Sequence, residues 1–276
     1  EDGAVGLYSV LVWVVSIPFA YRPIDWLPFT LILAVALSIK KCPVLYTAVD
    51  FGPLIVIVPL FSATEPEPLT PAPLVAISGT ITMDNKEAVG MLATIGSTLT
   101  NSAKIELKGI SSAGMYGENS DLTNSTASSQ IIVNKEASAG MYAKMSGASS
   151  VPKTSKNEGK IEIKADGAGK SAAMYSLMEN GTTQVMTTKN TKDIEVAQKT
   201  SAGIYVKNES AQDKNNSLAE NTGSIKMTGE SSVGIIAEKS KVTNSGTGAN
   251  GIEISGNSSA GILATKESEV TNSGRI

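Results

Sequence analysis

The sequence predicts an all-β fold, a right-handed parallel β-helix with three short strands per coil. Three observations point there. A five-residue motif recurs seven times, about one coil apart. An asparagine followed by an alternating apolar run keeps step with it. Within the repeats, β-branched residues, Gly and Asn dominate, and no run shows the apolar period of a helix.

The motif is clearest at Ser112-Ala113-Gly114-Met115-Tyr116, Ser138-Ala139-Gly140-Met141-Tyr142 and Ser201-Ala202-Gly203-Ile204-Tyr205. Looser copies begin at Ala88, Ser171, Ser232 and Ser259. Its third position falls at 90, 114, 140, 173, 203, 234 and 261, so the steps are 24, 26, 33, 30, 31 and 27 residues. Such a period, with insertions between copies, marks a solenoid whose units bury their apolar faces against each other.

Each repeat supplies three strands. The first follows the asparagine, as in Ile161-Glu162-Ile163, where alternation puts both isoleucines on one face. The second carries the motif. Reading back from Lys207, Ala202, Ile204 and Val206 are expected inside and Gly203, Tyr205 and Lys207 outside. By the same parity Ala113, Ala139, Ala172 and Ala260 should point inward and keep the walls close. The third is Leu99-Thr100-Asn101 and its counterparts, leading back to the asparagine. Each strand should pair with its equivalent about 4.8 Å above and below, so seven coils over 77–276 would form a rod section of roughly 30–35 Å. The stretches 146–155 and 209–219 are expected to bulge from turns.

Residues 1–76 break the pattern. They hold both Trp, all four Phe and most of the prolines, with short apolar runs such as Leu7–Val15 and Leu54–Phe61. They read as a terminal cap or early coils, as short membrane helices, or as an unreliable assignment of residue identities. The proline-rich stretch 64–73 punctuates the boundary as an extended connector. The repeats run to Ile276, where the chain stops inside a repeat and reads as a fragment.

Composition narrows the chemistry. There is no His, one Cys (Cys42) and a net charge of −3. Imidazole catalysis, His-ligated metal sites and an internal disulfide are excluded, and no basic footprint for nucleic acid is present. No catalytic residue, metal site or cofactor is predicted. Glu106, Glu162, Glu195 and Glu253 share a column, but Lys226 interrupts it and no second acidic column lies beside it, so a solvated face is expected. The column Asn101, Asn124, Asn157, Asn190, Asn221, Asn244 and Asn272 is expected to form a structural ladder. Asn tolerates left-handed turns, and stacked amides bond along the axis. The column Tyr116, Tyr142, Tyr175 and Tyr205 is the candidate ligand contact. It should face solvent and continue as Leu92, Ile236 and Leu263. An outward aromatic stripe suits contact with sugars or proteins, although stacked rings also simply cover a sheet.

The repeat Asn-Ser/Thr-Gly-x-Ile-x-Ile, followed by Ser-Ser-Ala/Val-Gly-Ile/Met, is best seen in 220–276. It resembles the passenger domains of giant type V autotransporter adhesins, above all the large fusobacterial outer-membrane adhesins. That resemblance implies a non-enzymatic β-helix displayed on the bacterial surface. It implies anchorage in the outer membrane through a translocator barrel that this chain lacks. It also implies adhesion to a host receptor or glycan, or to partner bacteria. The alternative is a β-helix carbohydrate-active enzyme, a lyase or hydrolase, which would need clustered carboxylates or a basic side chain on one face.

Overall fold

The computed structural model describes residues 79–94, 96–147, 151–247 and 250–276, together with the backbone of two earlier strands, Val56–Ile57 and Leu74–Ile77. The rest of 1–76 lies outside the described residues, and with it the expected cap and connector. The chain is all-β. Its strands form three parallel sheets of eight, eight and seven members, and each strand bonds to its equivalent in the coils before and after. Among the described residues the only helical element is a single turn at Lys214–Asn216.

The motif strands make the first face, here called the tyrosine sheet. They are Val89–Thr94, Ala113–Glu118, Ala139–Met145, Ala172–Met178, Ala202–Asn208, Val233–Glu238 and Ala260–Thr265, preceded by Val56–Ile57. The strands that end on the asparagines, from Leu74–Ile77 and Thr98–Asn101 through Glu269–Asn272, make the asparagine sheet. The strands from Ile81–Met83 through Gly251–Ile254 make the third, the glutamate sheet.

Register turns repetition into a core. Met91, Met115, Met141, Met174, Ile204 and Ile235 stack as one interior column of the tyrosine sheet. Ile105, Ile131, Ile161, Ile194, Ile225 and Ile252 stack in the glutamate sheet. Nearly all of these side chains are shut off from solvent. Each fully buried aliphatic side chain stabilises the fold by about 1.5–3 kcal/mol. No coil has a core of its own, since the interior is shared along the stack.

Three expectations need correction. The alternation in the motif strand fails at the glycine. Ile204 and Val206 are buried in the core, and Tyr205 and Lys207 are half-exposed, as parity requires. Ala202, however, lies on the outer side. A Cβ on Gly203 would point inward, 2.8 Å from the Ile225 side chain and 2.6 Å from the Gly234 carbonyl oxygen. The backbone bends there, so two successive residues, Gly203 and Ile204, face the core. The same bend puts Ala113, Ala139 and Ala172 outside the apolar cluster, and Ala260 is exposed. Secondly, Lys153–Asn157 and Ser217–Asn221 are strands, so 153–155 and 217–219 do not bulge from turns. Thirdly, none of the seven asparagines has a positive φ. They stand at strand ends in extended backbone, and their role does not use the left-handed region.

Left-handed backbone occurs one corner away. Glu87, Ser111, Ala137, Lys170, Thr200, Ser231 and Ser258 have φ between 51° and 64°. Each immediately precedes the first residue of a motif copy. This corner turns the chain from the glutamate sheet into the tyrosine sheet in every coil.

Candidate functional site

The outward alanines and the tyrosines enclose a groove of about 580 Å³ on the tyrosine sheet. Tyr116, Tyr142, Tyr175 and Tyr205 form one wall, in register from coil to coil. Their ring centroids are 5.1, 4.9 and 5.1 Å apart. The first pair meets edge to face at 82° and the others are tilted at 47° and 52°. Tilted and edge contacts suit the ring quadrupole better than flat stacking. Ala113, Ala139, Ala172 and Ala202 form the floor. The left-handed corner residues Ser111, Ala137, Lys170 and Thr200 form the opposite rim.

The groove has ends. Val89 precedes Ala113 and Val233 follows Ala202 on the floor, while Leu92 precedes Tyr116 and Ile236 follows Tyr205 on the wall. Small floor and aromatic wall therefore begin and stop in the same coils.

Beneath the rim runs a serine ladder. The backbone N–H of Ser112 donates to the hydroxyl of Ser138 at 3.0 Å, that of Ser138 to Ser171 at 3.3 Å, and that of Ser171 to Ser201 at 3.3 Å. The series continues through Ser232 and Ser259 at 3.2 and 3.1 Å. The hydroxyls in turn donate to backbone carbonyls, as Ser112 does to Ile110 at 3.1 Å and Ser201 to Lys199 at 3.0 Å. These hydroxyls are committed to the fold.

The asparagines build a second ladder at another corner. The Nδ2 of each donates to the Oδ1 of the next, from Asn101 through Asn244, at 2.8 Å, and the last bond, Asn244 to Asn272, is 2.7 Å. The first six side chains are completely buried. This column spends its amides on its own stack and offers a ligand nothing.

Burial raises the ionisation of Tyr116, Tyr142 and Tyr175 above the ordinary phenol value. Tyr205 is raised further, first by burial and then because its hydroxyl donates to the Glu238 carboxylate. Among the described residues the other three hydroxyls have no protein hydrogen-bond partner. Behind the wall the charges are paired. Lys144 lies 3.5 Å from Glu118 and 3.2 Å from Glu179, Lys207 lies 2.5 Å from Glu209, and Lys266 lies 2.7 Å from Glu238. Among the described residues Lys170 is the one charged side chain that lines the groove, and no carboxylate lines it. The groove therefore offers aromatic faces, hydroxyls and one cation.

The glutamate column stands on a different sheet. Glu106, Glu162 and Glu195 are in line, with Ile132 as well as Lys226 in the series. Glu106 pairs with Lys104 and Glu195 with Lys160, each at 2.9 Å, and Glu162 pairs with Lys164. This is an ion-paired outer face. The sequence reading found the tyrosines but missed the alanine floor and the serine ladder. Both were signalled by the first two positions of the motif: serine recurs as often as the glycine, and the second position holds only alanine or valine.

Residues 75–186 match the model of the BigA third pectate lyase-like domain, a domain of a bacterial surface protein. The match takes in the groove from Val89 through Tyr175. No curated protein and no solved structure matches the chain.

Proposed function

We propose that the chain is a segment of a bacterial surface adhesin, a rigid β-helical rod that holds sugars of another cell in its tyrosine-walled groove. The coincidence of alanine floor and tyrosine wall over the same four coils carries this reading. A ring-covered sheet needs no bounded trough, whereas a binding surface does. Aromatic faces with hydroxyls at their edges suit pyranose rings, which are apolar on their faces and polar at their rims. The likeness to a bacterial surface protein domain supports display outside the cell. Anchorage would come from an outer-membrane translocator barrel elsewhere in the protein.

The test uses beads coated with the purified chain. They should capture glycan-bearing cells, and the double variant Tyr142→Ala/Tyr175→Ala should lose capture while its thermal unfolding stays close to that of the parent. Capture unaffected by the double variant would sink the reading.

The pectate lyase-like match supports a second reading, a carbohydrate-active enzyme. It predicts cleavage of an oligosaccharide by the purified chain, lost in Lys170→Gln. Lys170 would be the candidate base because, among the described residues, it is the only ionisable lining group besides the tyrosines.

A further inference from the structure

The dimensions and charge of the groove narrow the ligand, given the sugar-binding reading above. We infer that it takes an extended oligosaccharide of about four pyranose rings laid along the solenoid axis, with a carboxylate-bearing ring against Lys170.

Three observations lead there. The tyrosine wall repeats every 4.9–5.1 Å. A pyranose chain linked through opposite equatorial positions advances by about that distance per ring, so one ring meets each tyrosine. A peptide strand advances by about 3.3 Å per residue and a polyproline helix by about 3.1 Å, so neither sets one residue against each tyrosine. The second observation is length. Alanine floors the groove at 113, 139, 172 and 202, and valine stands at 89 and 233 in the same sheet positions. The extra methyls raise the floor at both ends and leave room for one ring per alanine coil.

The third is charge. The lysines on the tyrosine strands behind the wall are engaged by carboxylates among the described residues, Lys144 by Glu118 and Glu179 and Lys207 by Glu209. Lys170, on the facing rim, has no ion pair among the described residues and projects from the third of the four coils. With no acidic group lining the trough, a ligand carboxylate is attracted there and meets no repulsion from the lining. A uronate ring and a sialic acid both supply that carboxylate.

The experiment titrates the intact chain by calorimetry with 1,4-linked oligosaccharides of one to six rings. One series is neutral, one contains a uronate and one is sialylated. Affinity should rise with each ring up to about four and then stop. The acidic ligands should bind about tenfold more tightly at low salt, an advantage lost in Lys170→Gln. Ala172→Val should reduce a four-ring ligand to the affinity of a two-ring one without lowering thermal stability, because valine already occupies equivalent rungs. A difference between the two acidic series identifies the source of the carboxylate. A single ring binding as tightly as four, or an acid preference that survives Lys170→Gln, overturns this inference while sugar binding itself stands. Absence of binding by every sugar overturns both.

Discussion

The Tyr205 hydroxyl donates a hydrogen bond to the carboxylate of Glu238 in the following coil. Lys266, one coil further on, lies 2.7 Å from the same carboxylate. The relay ties three successive coils together at the end of the groove wall. Lys266 first, and Tyr205 second, hold the Glu238 carboxyl below its usual value of 4.5.

This fixes a dependence on pH. The folded protein keeps Tyr205 protonated above its ordinary value of 10.0, so the associated stability is complete below pH 10.0 and is lost as pH rises through the folded value. The depressed Glu238 behaves oppositely. Its contribution is present above pH 4.5 and is lost as pH falls through the folded value. A phenolate absorbance titration should show one tyrosine ionising well after the rest, and Tyr205→Phe should remove that late step. A late step that persists in the variant would refute the assignment.

The asparagine ladder is the feature most sensitive to a single change. Asn157→Ala removes the acceptor of Asn124 and the donor to Asn190 inside a dry corner. We expect a loss of about 1–3 kcal/mol, the usual cost of leaving buried polar groups unmet. Asn272→Ala should cost much less, because Asn272 is exposed. Urea unfolding of the two variants compares them directly.

Core and surface of one strand should respond in opposite ways. Ile204→Asp or Ile235→Asp places an uncompensated charge in a fully buried column, at about 3–5 kcal/mol. Tyr205→Ser should leave the fold intact. Thermal unfolding unchanged by Ile235→Asp would contradict the inward assignment.

The left-handed corner offers a gain. Thr200 is exposed, β-branched and held at φ 51°. Its backbone N–H donates to the Glu230 carbonyl at 2.8 Å, a bond that glycine keeps. Thr200→Gly should therefore stabilise by about 1 kcal/mol through relief of backbone strain. A lower melting temperature would show that the corner is not strained.

The period, the three strands per coil and the interior columns were legible because each rests on a signal repeated in every coil. A column such as Met115, Met141, Ile204 and Ile235 needs only one parity reference, and Lys207 supplied it. Parity failed at Ala202 because a bend at Gly203 inserts one extra inward residue, and alternation alone has no means of marking a bend. Lys153–Asn157 was missed as a strand because it is almost wholly polar. Its partners in register, rather than its own residues, make it a strand. The groove arises from that same bend, so it became visible only with the backbone.

The ladder asparagines and the motif serines each donate a hydrogen, from the side-chain amide or the backbone N–H, to the coil that comes later in the chain. Both ladders are thus vectorial: each rung turns acceptors toward the coil before it and donors toward the coil after it. Two such rods could be spliced end to end only head to tail, and a segment grafted in reverse would meet like groups at both seams.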